Sequence, residues 1–242
     1  MPPDDLDRRL GEVRASTARL LDALDELGLD DDAVRAPSLL PGWTRAHVLT
    51  HLARNADAFT RALAGARRGQ AVPMYPDGPD GREADIVAGS RRPAAEIVDD
   101  VVASARRLDE AWSAMTPSAW DESMLTRTGV VPAWRSVPMR WRELEIHRID
   151  LDVGYGPADW PATFVAPLLP SLVDPERLGP RLPAGTAVDL EATDTGRRWS
   201  VGDGPRRVTV RGPSWALTCW LVGRPAAVRD VLGDPPELAP WA

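Results

Sequence analysis

Two pairs of residues spaced four apart carry side chains that bind metal ions in proteins. One pair is Glu143 and His147, within the stretch 139–151, and the other is His47 and His51. Residues four apart lie on one face of an α-helix, with Cβ atoms about 5 to 6 Å apart, so each pair can hold a single ion. Glu143 with His147 also fits an ordinary ion pair on a solvated helix face. The spacing alone leaves both interpretations open.

These residues include every histidine of the chain. Two histidines and one carboxylate, with a position left open for water or substrate, form a ligand set typical of catalytic zinc sites. Four protein ligands, with His47 included, would instead indicate a closed structural site. A histidine on an apolar helix face is more often a packed core residue, so this signal is weaker than a pair of closely spaced cysteines. The same nitrogen and oxygen ligands also suit nickel or iron.

The absence of lysine and the presence of a single cysteine exclude several kinds of chemistry. All 29 basic residues are arginine, so Schiff-base catalysis, a P-loop and a pyridoxal phosphate linkage are excluded. Cys219 is the single cysteine, which rules out a disulfide within the chain and a cysteine-rich metal site. We interpret Cys219 as a small packed residue. Thiol chemistry in this protein would therefore need a thiol from outside.

Composition and charge indicate a globular protein. The length of 242 residues suffices for one large domain or two small ones. A hydrophobic fraction of 43% is normal for a globular core. A net charge of -7 argues against a nucleic-acid surface. No apolar run approaches the length of a membrane span, and the first residues lack the pattern of a signal peptide. We expect a cytoplasmic protein, monomeric or weakly oligomeric, that binds neither nucleic acid nor membrane.

Apolar residues recur at helical spacing in the first part of the chain and at strand spacing later. Long amphipathic helices are predicted over 4–28, 44–67, 93–115 and 137–153, with a Gly- and Pro-rich loop over 70–89 that could fold over a site. Further on we predict a helix over 161–173, strands over 186–193, 197–201 and 207–211 joined by hairpin turns, and helices over 213–223 and 226–232.

This order of elements predicts two domains. Four amphipathic helices in succession favour an antiparallel bundle, in which sites are built from side chains on facing helices. We therefore predict an all-α four-helix bundle over residues 1–157 and a smaller α+β domain over residues 158–242.

Three stretches of the chain resemble the mycothiol-dependent maleylpyruvate isomerase family. They are Ser38–Ala56, which reads SLLPGWTRAHVLTHLARNA, then Val72–Tyr75 and Arg142–Leu151. The resemblance extends over essentially the whole chain. It implies a DinB-like metal-binding four-helix bundle that carries zinc, followed by a small α+β domain related to sterol carrier proteins.

The resemblance also assigns roles to single residues. It implies that His51, Glu143 and His147 bind the zinc ion, which leaves His47 for the surroundings of the site or for packing. Asp150, one turn after His147, would either orient that imidazole or lie exposed. The family uses an arginine of its second domain for activity, and Arg224 matches it. A helix C-terminal arginine that faces the helix dipole is the alternative for Arg224.

The implied reaction is the mycothiol-dependent isomerisation of maleylpyruvate to fumarylpyruvate. In our hypothesis zinc holds the small thiol as a thiolate, which adds to the cis double bond, and elimination after bond rotation leaves the trans product. An anionic substrate needs cations to bind it, and the candidates are Arg82, Arg140, Arg142 and Arg224, because a guanidinium binds a carboxylate through two hydrogen bonds.

Two other functions fit the same sequence. A zinc-dependent mycothiol S-transferase acting on other electrophiles would use the same metal site, but it would consume the thiol. A non-catalytic protein would instead bind an apolar ligand in its second domain, with a structural metal or none.

Overall fold

The computed structural model of the chain describes residues 3–225, 230–231 and 233–240. It divides into two units, Met1–Val153 and Gly154–Ala242. The first unit is helical apart from one short hairpin, whereas the second combines helices with a three-stranded sheet. The predicted fold class, a helical bundle followed by a smaller α+β part, is confirmed.

The first unit contains long helices at the positions of the four predicted ones. In chain order its described elements are α1 (Leu6–Leu27), α2 (Asp31–Arg35), α3 (Arg45–Ala66), α4 (Gly78–Gly89), α5 (Ala94–Ser113), β1 (Ser123–Thr126), β2 (Gly129–Pro132) and α6 (Ser136–Asp150). The strands β1 and β2 pair antiparallel. Helix α1 packs on α6, and α3 packs on α4, α5 and α6.

Helix α3 is the central element of this unit because it has neighbours on most of its sides. Its large apolar residues Val48, Leu52, Phe59 and Leu63 are at most 1% exposed. Its remaining buried positions are mostly small, so neighbouring helices can approach closely. The buried alanines of α3 are Ala46, Ala53, Ala56, Ala58, Ala62 and Ala66. A polar side chain on this helix is therefore enclosed by the bundle.

Helix α4 is the main difference from the sequence prediction, which placed a loop over residues 70–89. Pro79 lies in the first helical turn, where the missing N–H costs no hydrogen bond, and the helix runs on to Gly89. At Gly89 the helix approaches α3 so closely that a Cβ atom would overlap the Cγ2 atom of the buried Thr50. The residues that suggested a loop thus serve the start of a helix and its contact with α3.

The second unit combines helices with a small mixed sheet. Its described elements are α7 (Ala162–Leu172), α8 (Pro175–Leu178), β3 (Thr186–Ala192), β4 (Arg198–Val201), β5 (Arg206–Gly212) and α9 (Ser214–Leu221). Strand β3 is central, antiparallel to β4 and parallel to β5. The predicted hairpin over 194–196 is present and joins β3 to β4. The hairpin predicted over 202–204 is wrong, because β4 and β5 lie on opposite sides of β3 and do not pair with each other. The helix predicted over 226–232 falls largely outside the described residues.

None of the described helices is long and apolar enough to cross a lipid bilayer.

The contact between α4 and α3 can be tested by adding one methyl group. We expect Gly89→Ala to lower the free energy of unfolding by about 1 to 3 kcal/mol, because the new Cβ overlaps Thr50 in a packed interface. Gly11→Ala is the matched control, since its Cβ meets nothing within 4 Å and lies in the interior of α1. It should raise the stability by about 0.5 to 1 kcal/mol. Urea unfolding followed by circular dichroism measures both, and equal effects would contradict the close approach.

Candidate metal centre

Three side chains from α3 and α6 converge on one point. His51 extends from α3, whereas Glu143 and His147 extend from successive turns of α6. The Oε2 atom of Glu143 lies 2.9 Å from the Nε2 atom of His51 and 3.3 Å from the Nε2 atom of His147. One ligand atom from each residue lies within 4.8 Å of the other two. The spacing of four on α6 and the packing of α3 against it produce this cluster.

The electrostatics of the cluster favour an ionised carboxylate beside a neutral imidazole. Burial lowers the pKa of His51 to about 4, and the neighbouring His147 acts in the same direction. Desolvation alone would raise the pKa of Glu143, but its hydrogen bonds to His147 and His51 outweigh this effect and hold that pKa well below the usual value. At neutral pH His51 is therefore a neutral imidazole, and Glu143 carries a negative charge.

Asp150 orients the second imidazole. Its carboxylate is fully buried, and its Oδ2 atom lies 2.8 Å from the Nδ1 atom of His147. Desolvation lowers the pKa of His147, but the hydrogen bonds to Asp150 and Glu143 outweigh it and raise that pKa. Asp150 accepts the hydrogen bond from Nδ1–H, so Nε2 is the nitrogen directed at the cluster, where it donates to Glu143 and, once deprotonated, could bind a metal ion. Asp150 is thus buried beside the site, and the alternative of an exposed helix carboxylate is wrong.

His47 lies outside the cluster, although it is one turn before His51. Its Nδ1 atom accepts a hydrogen bond from the backbone N–H of Thr44 at 3.2 Å and lies 2.8 Å from the Thr44 hydroxyl. Its Nε2 atom lies 3.2 Å from the Ser90 hydroxyl. Both nitrogens are thus engaged in fixing the start of α3 and joining it to the end of α4.

Arg82, one of the four candidate arginines, contacts the cluster. It lies on α4, and its Nη2 atom donates a hydrogen bond of 2.9 Å to the Nδ1 atom of His51. The guanidinium also lies 5.8 Å from the centre of the Tyr75 ring. Sequence analysis predicted a loop over residues 70–89. This segment contributes a cation to the site because part of it folds as α4.

The other three arginines have different surroundings. Arg140 lies in the core of the first unit, where its Nη1 atom donates to the Leu52 carbonyl and to the Asn55 side chain, each at 2.8 Å. Arg142 is half-buried on α6 beside Glu143 in the chain. Arg224 belongs to the second unit, where it follows α9 and donates from Nη1 to the Val222 carbonyl at 3.1 Å.

Sequence reasoning missed a buried polar group on the opposite side of α6. Glu145 is 1% exposed and accepts a hydrogen bond from the Ser16 hydroxyl of α1, while the Trp141 indole donates to Ser16 at 2.9 Å. The signal was a polar Ser16 among the apolar residues that α1 turns toward the bundle. Asn55, four residues after His51, carried a similar signal that also went unused.

The donor set fits a divalent metal ion. Two imidazole nitrogens and a carboxylate oxygen converge, and the Glu143 side chain remains 31% exposed, so the cluster is open on one side. Three protein ligands with an open side match catalytic zinc sites better than closed structural ones. Among the described residues, this is the group of potential ligands close enough to hold an ion.

Comparisons with known proteins found one matching family and similar solved structures. The profile of a family described as mycothiol maleylpyruvate isomerase N-terminal domain matches residues 13–152, more than half of the chain. The crystal structure of a mycothiol-dependent maleylpyruvate isomerase is 28% identical and superposes with a TM-score of 0.88 over 98% of this chain and 97% of that chain. A histidine-to-alanine mutant of such an enzyme gives 0.87 at the same identity and coverage. No curated protein matches in sequence. The chain therefore belongs to the mycothiol-dependent maleylpyruvate isomerase family.

Proposed function

We propose that this protein is a mycothiol-dependent cis–trans isomerase that converts maleylpyruvate to fumarylpyruvate. The observation that carries the proposal is the convergence of His51, Glu143 and His147 in a chain that superposes along 98% of its length on an enzyme of that name. The reaction is thiolate addition across the cis double bond, rotation about the resulting single bond, and elimination of the thiol. A cytoplasmic location and a monomeric or weakly oligomeric state remain predictions.

We propose zinc as the metal, held by His51, Glu143 and His147. When bound there, it would supply the Lewis acidity that keeps a small thiol deprotonated at neutral pH. The protein's own residues prepare the site: burial keeps His51 neutral, Asp150 holds the His147 proton on Nδ1, and Glu143 stays ionised. His47 is occupied elsewhere through both nitrogens, which argues against a closed site with four ligands.

The contact of Arg82 with His51 supports Arg82 as a binding residue for the anionic partners. A guanidinium only donates hydrogen bonds, so the Nδ1 atom of His51 is the acceptor and its proton lies on Nε2. A metal ligand that uses Nε2 must carry its proton on Nδ1 instead. Coordination through Nε2 and the Arg82 contact would therefore exclude each other, and a bound metal would leave the guanidinium available for an anion. On sequence grounds we keep Arg142 as a further anion-binding residue and Arg224 as a catalytic one.

The ligand assignment predicts opposite results for two neighbouring histidines. We expect His51→Ala to lose the metal, because a three-ligand site loses one of its donors. His47→Ala should keep about one metal per chain, with a loss of about 1 kcal/mol of stability from the weakened helix cap. Elemental analysis of the purified variants measures the metal and identifies it as zinc, nickel or iron. Metal retained by His51→Ala, or lost in His47→Ala, would contradict the assignment.

The orienting role of Asp150 predicts an effect on metal affinity. Asp150→Asn keeps the size of the side chain but removes its charge, so His147 is held less firmly in its metal-binding tautomer. Affinity should fall about 10- to 100-fold, measured by competition with a chromogenic chelator. Asp152→Asn is the matched control, since Asp152 is exposed and two residues further along. Equal affinities of the two variants would refute the orienting role.

The isomerase itself is tested by an absorbance assay with maleylpyruvate and metal-loaded protein. We expect fumarylpyruvate to form over many turnovers per mycothiol molecule, with no reaction without the thiol or in His51→Ala. Stoichiometric loss of mycothiol on other electrophiles, without isomerisation, would move the assignment to an S-transferase. A metal-loaded protein inactive in both assays would support the non-catalytic alternative.

A further inference from the structure

Arg140 is a buried cation that has no charged partner among the described residues. It is 2% exposed, and its two hydrogen bonds go to neutral oxygens, the Leu52 carbonyl and the Asn55 side chain. Within the part of the chain that the structure describes, it forms no ion pair. Burial lowers the pKa of Arg140 to about 10, so its guanidinium remains protonated at neutral pH. A buried charge is unfavourable unless an opposite charge accompanies it.

The negative charges nearest to Arg140 already serve other groups. Glu143 lies one turn along α6, but its carboxylate bonds to the two imidazoles of the cluster. Asp57 forms ion pairs with Arg54 and Arg107 on the bundle surface. The phenol of Tyr75 stays neutral, because burial raises its pKa. No anionic side chain near Arg140 among the described residues is therefore available to pair with it, and a bound anion could balance its charge.

The guanidinium presents a free edge in a fixed orientation. Both hydrogen bonds that Arg140 forms with described residues use Nη1, and none uses Nε or Nη2. These two nitrogens form the edge of a guanidinium that binds a carboxylate through two parallel hydrogen bonds. Leu52 and Asn55 thus hold the side chain by one nitrogen and leave the bidentate edge unoccupied.

The residues that position this edge lie one helical turn from the ligands of the metal-binding cluster. On α3, Asn55 follows His51 by four residues, and on α6, Arg140 precedes Glu143 by three. At 1.5 Å per residue, both steps are about 5 Å along the same interface between the two helices. The spacing of the two positions along this interface therefore suits a small dianion that extends from the cluster to Arg140.

We propose that Arg140 binds a carboxylate group of the substrate and fixes its position relative to the cluster. The identity of the substrate rests on the function proposed above, whereas the anion site rests on the geometry of Arg140. A divalent ion with one carboxylate, two neutral imidazoles and a bound thiolate would carry no net charge, so Arg82 and Arg140 would supply the two positive charges of the site. These two charges would match a dicarboxylate.

The test compares Arg140→Met with Arg148→Met in the zinc-loaded protein. Methionine replaces the stem of the arginine but has no charge, and Arg148 is an arginine of the same helix to which we assign no role in binding. The probe is maleate, a cis dicarboxylate, titrated by calorimetry, with dimethyl maleate as the uncharged control. Maleate affinity should fall about 10- to 100-fold in Arg140→Met alone, as expected for the loss of hydrogen bonds to a charged group. Arg148→Met and the diester should show no such difference.

Stability separates binding from a structural role. An unpaired buried charge replaced by an apolar side chain of similar size should leave the urea midpoint unchanged or raise it. Metal content should stay the same, and KM for maleylpyruvate should rise more than kcat falls. A lower midpoint together with unchanged maleate affinity would overturn the proposal. If Arg140→Met does not fold, Arg140→Lys decides: it retains the charge without the bidentate edge, and unchanged maleate affinity in this variant would also overturn it.

The outcomes distinguish this proposal from the proposed function. Loss of maleate binding in Arg140→Met, in a protein that does not isomerise maleylpyruvate, would support the anion site and reject the isomerase. Isomerisation with unchanged KM and maleate affinity in Arg140→Met would support the isomerase and reject the role of Arg140.

Discussion

The carboxylate of Glu143, held between two imidazoles, is the interaction on which the rest of the site depends. An ionised carboxylate inside a helical bundle is unfavourable unless donors or a cation surround it. His51 and His147 provide the donors, and Asp150 fixes the second ring from behind. The same arrangement that stabilises the charge without a metal also directs three ligand atoms at one point. The same side chains thus stabilise the Glu143 carboxylate and position the ligands of the proposed metal site.

Helix α3 meets this requirement because it is enclosed by its neighbours. Small residues let α4, α5 and α6 approach it, so its polar residues are removed from water together with its apolar ones. His51 and Asn55, on successive turns, face α6 from this position. One turn holds the cluster and the next holds Arg140. The interface between α3 and α6 therefore carries both a metal-binding group and a fixed cation.

Helix α4 links this interface to the surroundings of the site. It contributes Arg82, whose hydrogen bond to His51 selects the tautomer of that ring, and it is anchored at its end through Ser90 and His47. The close approach at Gly89 sets its distance from α3. Arg82, which sequence analysis placed in a loop that could fold over a site, is instead held by a regular helix. Its guanidinium is positioned before any anion arrives.

The sequence by itself determined the elements that depend on local spacing. Helical periodicity located the four long helices, and the i, i+4 spacing placed Glu143 and His147 on one face of α6. The fold class followed from these patterns, and the family resemblance singled out His51. These features were predictable because each depends on residues within one or two turns of one another.

The tertiary structure decided everything that depends on contacts between elements distant in the chain. It separated His47 from His51, although both share a helix, because Thr44 and Ser90 occupy the nitrogens of His47. It formed α4 where Gly and Pro suggested a loop, since packing against α3 stabilises a helix of weak periodicity. It also enclosed Arg140 and left Arg142 half-buried, two residues apart on α6. The burial of a side chain and its hydrogen-bond partners depend on which helix surfaces pack together, and residue spacing along the chain does not specify that packing.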